Sequence, residues 1–397
     1  MSIYEYALDS PSGVSPMSCI AETKSSDILP YNCFRSAQWS PDGTSIATSS
    51  DDNTLRIYSL SETDLSLQTQ IPHGETLTAH AWYPYMSQSD PATCCIATAT
   101  RDRPIHLRDT NTGRVRASYT AYDPHEKLMT AGAVQFGADG RGIFGGYRGY
   151  VAKFDLQRSG LPVDQAAMTP SRRSKDGVKG IVSCLDAAGP SGLLACGTFS
   201  GYLGLRSQCN LADSQWAWVF PAEYGGRAGV GHMRWSPNGR VLWAESRGAA
   251  RHIVAWDIRD MRGPLAVIPK PAGPAVRGVA AQQRMQFDFD MGGRFLVTGE
   301  CNGQVAFHDT WNLDAAPVVR VAAHGDLVSG VSSHPYYPML ATASGQRHFD
   351  NDSESSPLPL LSIDNSLKVW SVAASYRPYD EENDNGDDAD ADAAVEK

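Results

Sequence analysis

Several signatures are missing from this 397-residue sequence, and each absence removes a class of function. No apolar run approaches the ~20 residues that cross a bilayer as a helix. The first residues, Met-Ser-Ile-Tyr-Glu-Tyr-Ala-Leu-Asp, carry neither the basic stretch nor the apolar core of a secretory leader. The expectation is a soluble, intracellular protein that makes no use of a membrane. The eight cysteines (Cys19, Cys33, Cys94, Cys95, Cys184, Cys196, Cys209, Cys301) form no Cys-x-x-Cys pair and no Cys/His spacing of a zinc site. They read as small buried hydrophobes in a reducing compartment. No Gly-x-Ser-x-Gly, phosphate-binding glycine loop or His-Glu-x-x-His occurs. Asp51-Asp52, the one adjacent carboxylate pair ahead of the acidic end, has the setting of turn residues that bond their own backbone. The chain is therefore read as non-enzymatic, with no catalytic residue, metal or cofactor.

A one-signed charge is also missing from the body of the chain, although the total of −10 suggests otherwise. Nine acids and one base lie beyond residue 379; without them the 44 acids and 34 bases fall to 35 and 33. This acidic end reads as disordered. The nearly neutral remainder neither favours nor excludes an anionic partner. Ser171-Arg-Arg-Ser-Lys175 fits either a nuclear-import patch or a solvated basic loop.

What is present is a repeat. Seven short apolar-alternating segments recur: Leu55-Arg-Ile-Tyr58, Ile105-His-Leu-Arg108, Val151-Ala-Lys-Phe154, Leu203-Gly-Leu-Arg206, Ile253-Val-Ala-Trp256, Val305-Ala-Phe-His308 and Leu367-Lys-Val-Trp370. Their last residues are 50, 46, 52, 50, 52 and 62 apart, somewhat more than the ~40–45 usual for four-stranded propeller blades of the WD-repeat type. The longest step reflects a polar insertion at about residues 350–362. A second signal recurs ahead of these segments: Trp39-Ser-Pro-Asp-Gly43, Phe136-Gly-Ala-Asp-Gly140, Trp235-Ser-Pro-Asn-Gly239 and, weakened, Phe289-Asp-Met-Gly-Gly293. Asp/Asn-Gly supplies the positive φ that reverses a hairpin.

A lone blade leaves both faces of its sheet open, whereas a closed ring buries both. The fold class read from this pattern is all-β: a seven-bladed WD-repeat β-propeller over residues 17–373, closed by a strand near 17–23 that becomes the outer strand of the last blade. A flexible arm is expected over 1–16 and a disordered acidic tail over 374–397. Asp364, His324, Thr342 or Ser344, and Trp370 are expected to form one buried polar network, because buried polar groups must be paired.

In a propeller, the loops between the second and third strands crowd around one mouth of the channel. Here they carry Arg101, Arg103, Tyr147, Arg148, Tyr150, Phe199, Tyr202, Arg247, Arg251, Arg347 and His348 against fewer acids (Asp51, Asp52, Asp102, Glu300). Loops entering the blades on the same side add Lys127, Lys179, Arg227, Arg277 and Arg284, with Glu75, Glu126, Glu223 and Asp326. Arginine interleaved with aromatic rings suits single-stranded nucleic acid. The same spacing also suits a peptide partner or a solvated face, because this fold does not fix function.

Several stretches resemble the telomerase Cajal-body WD-repeat protein family: Trp39–Gly43 with Asp52-Asn-Thr-Leu-Arg-Ile-Tyr58, Arg103-Pro-Ile-His-Leu107, Thr112-Gly-Arg-Val-Arg-Ala-Ser118 with Ala121-Tyr122, Gly180-Ile-Val-Ser-Cys184 with Ala195-Cys-Gly197 and Leu203-Gly-Leu205, Gln283-Arg-Met-Gln-Phe-Asp-Phe289, and Ala341-Thr-Ala-Ser-Gly-Gln-Arg347. They keep one order from about residue 33 to 370. The resemblance implies a non-enzymatic nuclear propeller, acting as a monomer, that binds small nuclear RNA of the H/ACA or Cajal-body type, telomerase RNA included, or its RNP proteins. It also implies a role in RNP biogenesis, localisation or splicing, with some cytoplasmic pool. On that reading Arg101, Arg103, Arg148, Arg247, Arg251 and Arg347 contact phosphates or base edges, and Tyr150 and Tyr202 stack on bases. The alternative is a protein-only scaffold in spliceosome or small nuclear RNP assembly that binds a peptide at the same face.

Overall fold

Every regular element among the described residues is a β-strand, and 28 of the 30 strands fall into seven four-stranded antiparallel sheets. The computed structural model describes residues 3–8, 15–24, 32–61, 64–169, 177–219, 229–247, 251–271, 283–313, 316–346 and 364–377. Arg347, His348, the 350–362 insertion, residues 171–175, Arg227, Arg277 and the acidic tail beyond 377 lie outside them.

Each of the seven repeated segments is the third strand of a blade. Blade 1 runs Gln38–Trp39, Ser45–Ser49, Thr54–Ser61 and Asp64–Pro72. Blades 2 to 6 begin at inner strands Leu77–Trp82, Ala133–Phe136, Val182–Ala187, Val230–Trp235 and Phe287–Phe289. Blade 7 has inner strand Val328–Ser333, then Met339–Ser344 and Ser366–Val372. Its fourth strand is Met17–Lys24, paired antiparallel to Ser366–Val372 with Thr23 opposite Leu367 and Cys19 opposite Trp370. The two ends of the chain thus close the ring by hydrogen bonding.

The hairpin turns use their glycines as the sequence requires. Gly43 (φ 71°) and Gly140 (φ 65°) take the left-handed conformation. They also seat against the neighbouring blade: a Cβ on Gly43 would meet the His334 ring at 2.4 Å, and one on Gly140 would meet the Tyr85 ring at 2.6 Å. His334 donates from Nε2 to the Gly43 carbonyl (3.0 Å) and lies edge-on to Trp39 (4.7 Å between centroids).

The core sits in the seams between blades. Ile105, Tyr119, Ile143 and Phe154 join blades 2 and 3; Leu205, Trp235, Leu242 and Trp256 join blades 4 and 5; Phe34, Ile46, Tyr58 and Leu367 join blades 7 and 1. Third strands meet a neighbouring blade on both faces, so that Leu55, Ile57 and Tyr58 of blade 1 are all buried although they alternate around Arg56.

The terminal polar network forms in blade 7, with one member resolved and one added. Trp370 Nε1 donates to Thr342 Oγ1 (2.7 Å), and Thr342 bonds His324 Nε2 (2.7 Å). His324 Nδ1 reaches Ser366 Oγ (3.1 Å) and Asp364 Oδ2 (3.4 Å), and Asp364 also accepts from the Gly325 N–H (2.7 Å). Thr342, not Ser344, is the hydroxyl used.

The arm expected to be loose over 1–16 is not loose throughout. Ile3–Tyr6 pairs antiparallel with Ala374–Arg377, so the ordered body also extends past residue 373. The cause is burial: Tyr6, 3% exposed, packs on Phe295 and Phe307 (6.5 and 5.9 Å between centroids), with Leu8 and Met17 in the same cluster. Glu5 and Arg294 add an ion pair at this seam.

Candidate nucleic-acid interface

The inner strands line a channel through the ring, which opens at the end carrying the second-to-third-strand loops and encloses about 2200 Å³. Its deeper wall is polar and internally matched. Asp186 Oδ1 accepts from Gln135 Nε2 (3.0 Å) and Oδ2 from the Trp235 N–H (2.8 Å), linking blades 3, 4 and 5. Asp288 pairs with Arg234 at 2.9 Å and accepts from the Ser333 N–H at 3.1 Å. Asp288 raises the pKa of Arg234, while burial raises that of Asp186 against the pull of Arg234. His80 and His232 face the same wall; burial drops them to about 4 and about 3, so both are neutral at neutral pH.

Toward the mouth the balance changes. Arg35, Arg101, Lys127, Arg148, Lys179, Arg247 and Arg284 line it, and Asp51, Asp102 and Asp123 are the acids at that level. Asp51 pairs with Arg35 (3.1 Å), and Asp123 closes its own turn by accepting from the His125 and Lys127 N–H groups (2.8 and 2.9 Å). Arg101, Arg148, Lys127 and Lys179 are exposed. This end of the channel is therefore cationic.

The structure separates the expected site residues. Arg101, Arg148, Tyr150 and Arg247 come together on the mouth. Arg103 is exposed but outside the lining. Arg251 is 3% exposed and sits 3.5 Å from the buried Glu245, which Lys270 also contacts at 3.0 Å; it donates to the Gln283 carbonyl (2.9 Å). Arg251 is thus corrected to a buried structural residue, because a buried carboxylate demands a counter-charge. Tyr202 is half-buried against the cluster holding Phe144, Val151 and Leu194 and does not line the mouth. Tyr150 keeps one edge on the mouth, but Tyr147 lies flat against it (4.9 Å, 13° between planes) and burial pushes its hydroxyl to about 12.

Two aromatic rings at the mouth were not among the expected stacking residues. Tyr122 lines it and is 52% exposed. Phe199 carries the guanidinium of Arg247 at 4.7 Å and that of Arg284 at 5.3 Å. Arg284 reaches across the channel from the entry to blade 6, donating to the carbonyls of Thr78 in blade 2 (3.1 Å) and Gly132 beside blade 3 (3.4 Å). Burial lowers the pKa of Arg247 and of Arg284, and each is lowered further by a neighbouring arginine. The signal for Tyr122 was its position between Ala121 and a turn-forming Asp123; nothing local marks Arg284 as the residue that spans the ring. No group of three or more His, Cys, Asp or Glu able to hold a metal ion occurs among the described residues.

Comparison with known proteins gives a consistent picture. The model of the family "WD domain, G-beta repeat" matches residues 23–59. Telomerase Cajal body protein 1 of Mus musculus is 32% identical over 391 residues, covering 89% of this chain and 69% of that protein. Its counterpart in Mesocricetus auratus is 33% identical over 369 residues, covering 86% and 64%. The guanine nucleotide-binding protein negative regulator 1 of Schizosaccharomyces pombe is 29% identical over 365 residues, covering 87% and 88%. The chain thus spans just under two thirds of the Mesocricetus protein's length.

Proposed function

This chain belongs to the telomerase Cajal body protein 1 family, and from that premise we propose that it is a nuclear RNA-binding scaffold whose cationic mouth receives small nuclear RNA. The observation that carries the reading is the charge asymmetry along the channel. Carboxylates match the arginine deep in the wall, whereas exposed Arg101, Arg148 and Lys179 at the mouth stand beside the exposed ring of Tyr122. Cations that track a backbone, next to a ring on which a base stacks, suit unpaired nucleotides. The names of the mammalian relatives support an RNP of the telomerase or Cajal-body type, with nuclear localisation, and an H/ACA-type RNA fits that setting.

The test is crosslinking and sequencing of RNA bound to the tagged protein in its own cells, beside an Arg101→Glu/Arg148→Glu variant. Enrichment of small nuclear RNAs that is lost in the variant supports the reading. With purified components, affinity should fall steeply with salt, and the slope should drop by about 0.7 for each phosphate contact removed from a single strand.

A second reading has its own support. Ile181 is 40% exposed on the mouth and offers an apolar anchor, and the Schizosaccharomyces pombe relative carries a name that refers to another protein. A protein-only scaffold binding a peptide there would show a shallow salt dependence and no RNA above background.

A further inference from the structure

Arg284 spans the channel from one wall to the other. It stands three residues ahead of the inner strand of blade 6, donating from Nη1 to the Thr78 carbonyl (3.1 Å) and from Nη2 to the Gly132 carbonyl (3.4 Å). Thr78 lies in the inner strand of blade 2, and Gly132 immediately precedes that of blade 3. In a ring of seven, the seam between blades 2 and 3 is three blades from blade 6 in either direction. The side chain therefore crosses the full width of the opening.

Both ends of this crossbar are fixed. At its root, Gln283 Nε2 donates to the Gly345 carbonyl (3.0 Å), the Gln286 N–H donates to the Ser329 carbonyl (2.9 Å), and Gln286 Oε1 accepts from the Ala37 N–H (3.0 Å). Those contacts tie it to blades 7 and 1. The Phe199 ring, 5.3 Å from the guanidinium, supports it from blade 4. At its tip the partners are main-chain carbonyls, which do not swing away as side chains do. A guanidinium presents its donors as a rigid planar fork and holds two carbonyls at a set separation; lysine offers the same charge on a flexible stem without the fork.

What the tip holds is the rim of the mouth. The Arg101 N–H donates to the carbonyl of Thr76, two residues before Thr78 (2.9 Å). Tyr122 belongs to a hairpin closed by its bridge to Leu128 and by the Met129 N–H on the Ala121 carbonyl (2.9 Å), and that hairpin runs directly into Gly132. Thr78 Oγ1 joins the two segments by donating to the Ala131 carbonyl (2.7 Å). Arg284 thus bonds to both backbone segments on which Arg101 and Tyr122 are mounted, and both of those residues line the mouth.

We propose that Arg284 is the positioning residue of the nucleotide site: it sets the spacing between the Arg101 cation and the Tyr122 ring, through the backbone and without touching the ligand. This rests on the RNA-binding reading above. A cation on the phosphate and a ring under the base serve one nucleotide only when their separation is held.

The experiment is fluorescence anisotropy of a labelled oligouridylate bound to the full chain, over a series of salt concentrations. Arg284→Gln and Arg284→Lys should each bind about tenfold more weakly than wild type, the scale of one hydrogen bond to a charged group, with the salt slope unchanged. Arg101→Gln, which removes a cation the ligand meets, should lower the slope by about 0.7. In a Tyr122→Ala background, Arg284→Gln should cost about twofold or less, because the ring it positions is gone. Should Arg284→Gln lower the Tm by itself, Phe199→Leu removes the supporting ring, keeps both carbonyl bonds, and carries the test; it should weaken binding at the wild-type slope, and binding equal to wild type would overturn the role. Full binding by Arg284→Lys with a lower slope in Arg284→Gln makes Arg284 a phosphate contact and overturns it too. So does an undiminished loss from Arg284→Gln on top of Tyr122→Ala, or equal binding by wild type and both variants at position 284. In each of those outcomes wild-type protein still binds the oligouridylate, so the RNA reading stands. No binding by wild-type protein overturns the RNA reading, and this role with it.

Discussion

The Ser183 hydroxyl donates a 2.7 Å hydrogen bond to the carbonyl of Val230, the first residue of the next blade's inner strand. Ser183 sits where the pairing of its own strand skips a register, between Val182 and Cys184. The same device recurs: Thr78, skipped between Leu77 and Ala79, donates to Ala131 (2.7 Å), and Ser329, skipped between Val328 and Gly330, donates to Phe34 (2.7 Å). A bulge turns one side chain sideways out of the pleat, and a hydroxyl there fastens one blade to the next. Blade 5 has Gly231 at this position, and its link to blade 6 moves one residue on, to His232 Nε2 and the Phe287 carbonyl (3.2 Å).

Replacing Ser329, fully buried, by alanine should therefore cost about 1–2 kcal/mol, the penalty for a buried carbonyl left without a donor. The same change at the exposed Ser89 should cost nothing measurable. Urea unfolding with unchanged m-values checks both; equal midpoints for wild type and Ser329→Ala would show that the bulge hydroxyls do not fasten the blades.

Ring closure gives a second expectation. Deleting residues 17–24 removes the outer strand of blade 7 and opens both terminal blades to water, so the whole propeller should lose its cooperative transition. Tyr6→Ala, which empties an aromatic site between Phe295 and Phe307, should cost about 3–5 kcal/mol while leaving the ring paired. Hydrogen exchange separates the cases: fast exchange confined to blade 7 in the deletion would argue that closure is local.

The ring was legible in the sequence because its determinants are local. Asp/Asn-Gly turns and alternating third strands recur at near-constant spacing, and Trp370 with Asp364 six residues before it marks the terminal network. The pairing of Ile3–Tyr6 with Ala374–Arg377 was not legible, since four residues find their partner some 370 positions away. The mouth was legible only in part, for the same reason. Arg148 and Arg251 both follow a second strand, yet one is exposed and the other is buried against Glu245, a contact fixed by Lys270 from a different strand. Tyr150 loses a stacking face to Tyr147, and Arg284 acquires its role from carbonyls 206 and 152 residues earlier.

Buried histidines set the acid sensitivity. Burial lowers His73, His80, His308 and His334 to about 4 and His232 to about 3, against ~6.5 in an unfolded chain. Between those values the unfolded state binds more protons, so stability rises with pH and is lost as pH falls from ~6.5 toward ~4. Asp290 opposes this: burial raises it to about 6, so its carboxyl favours the folded state on the acid side of that value. Asp186, also raised by burial, acts in the same sense as Asp290. Five histidines outweigh two carboxyls, and the Tm should fall as pH drops from 6.5 to 4. A Tm that is flat or rising over this window would refute the assignment.

The terminal network allows the sharpest substitution. Trp370 Nε1 can only donate, so Thr342 Oγ1 accepts from it and its proton goes to His324 Nε2. That fixes the histidine proton on Nδ1, facing Ser366 and Asp364. Burial works to raise the Asp364 carboxyl, but hydrogen bonds from His324, Ser366 and the Gly325 N–H outweigh it and hold Asp364 well below the usual carboxylate range. Thr342→Val keeps the shape and strands two buried polar groups at once, which should cost about 2–4 kcal/mol. Thr342→Ser keeps the hydroxyl and should recover most of that loss. The depressed Asp364 contributes stability above the unfolded value of ~3.9 that is lost as pH falls below it, so Asp364→Asn should flatten the acid limb below pH ~4 while lowering stability at pH 7. Tm profiles of the three variants decide the point: if Thr342→Val and Thr342→Ser are equally stable, the relay from Trp370 to Asp364 is not what ties the last blade together.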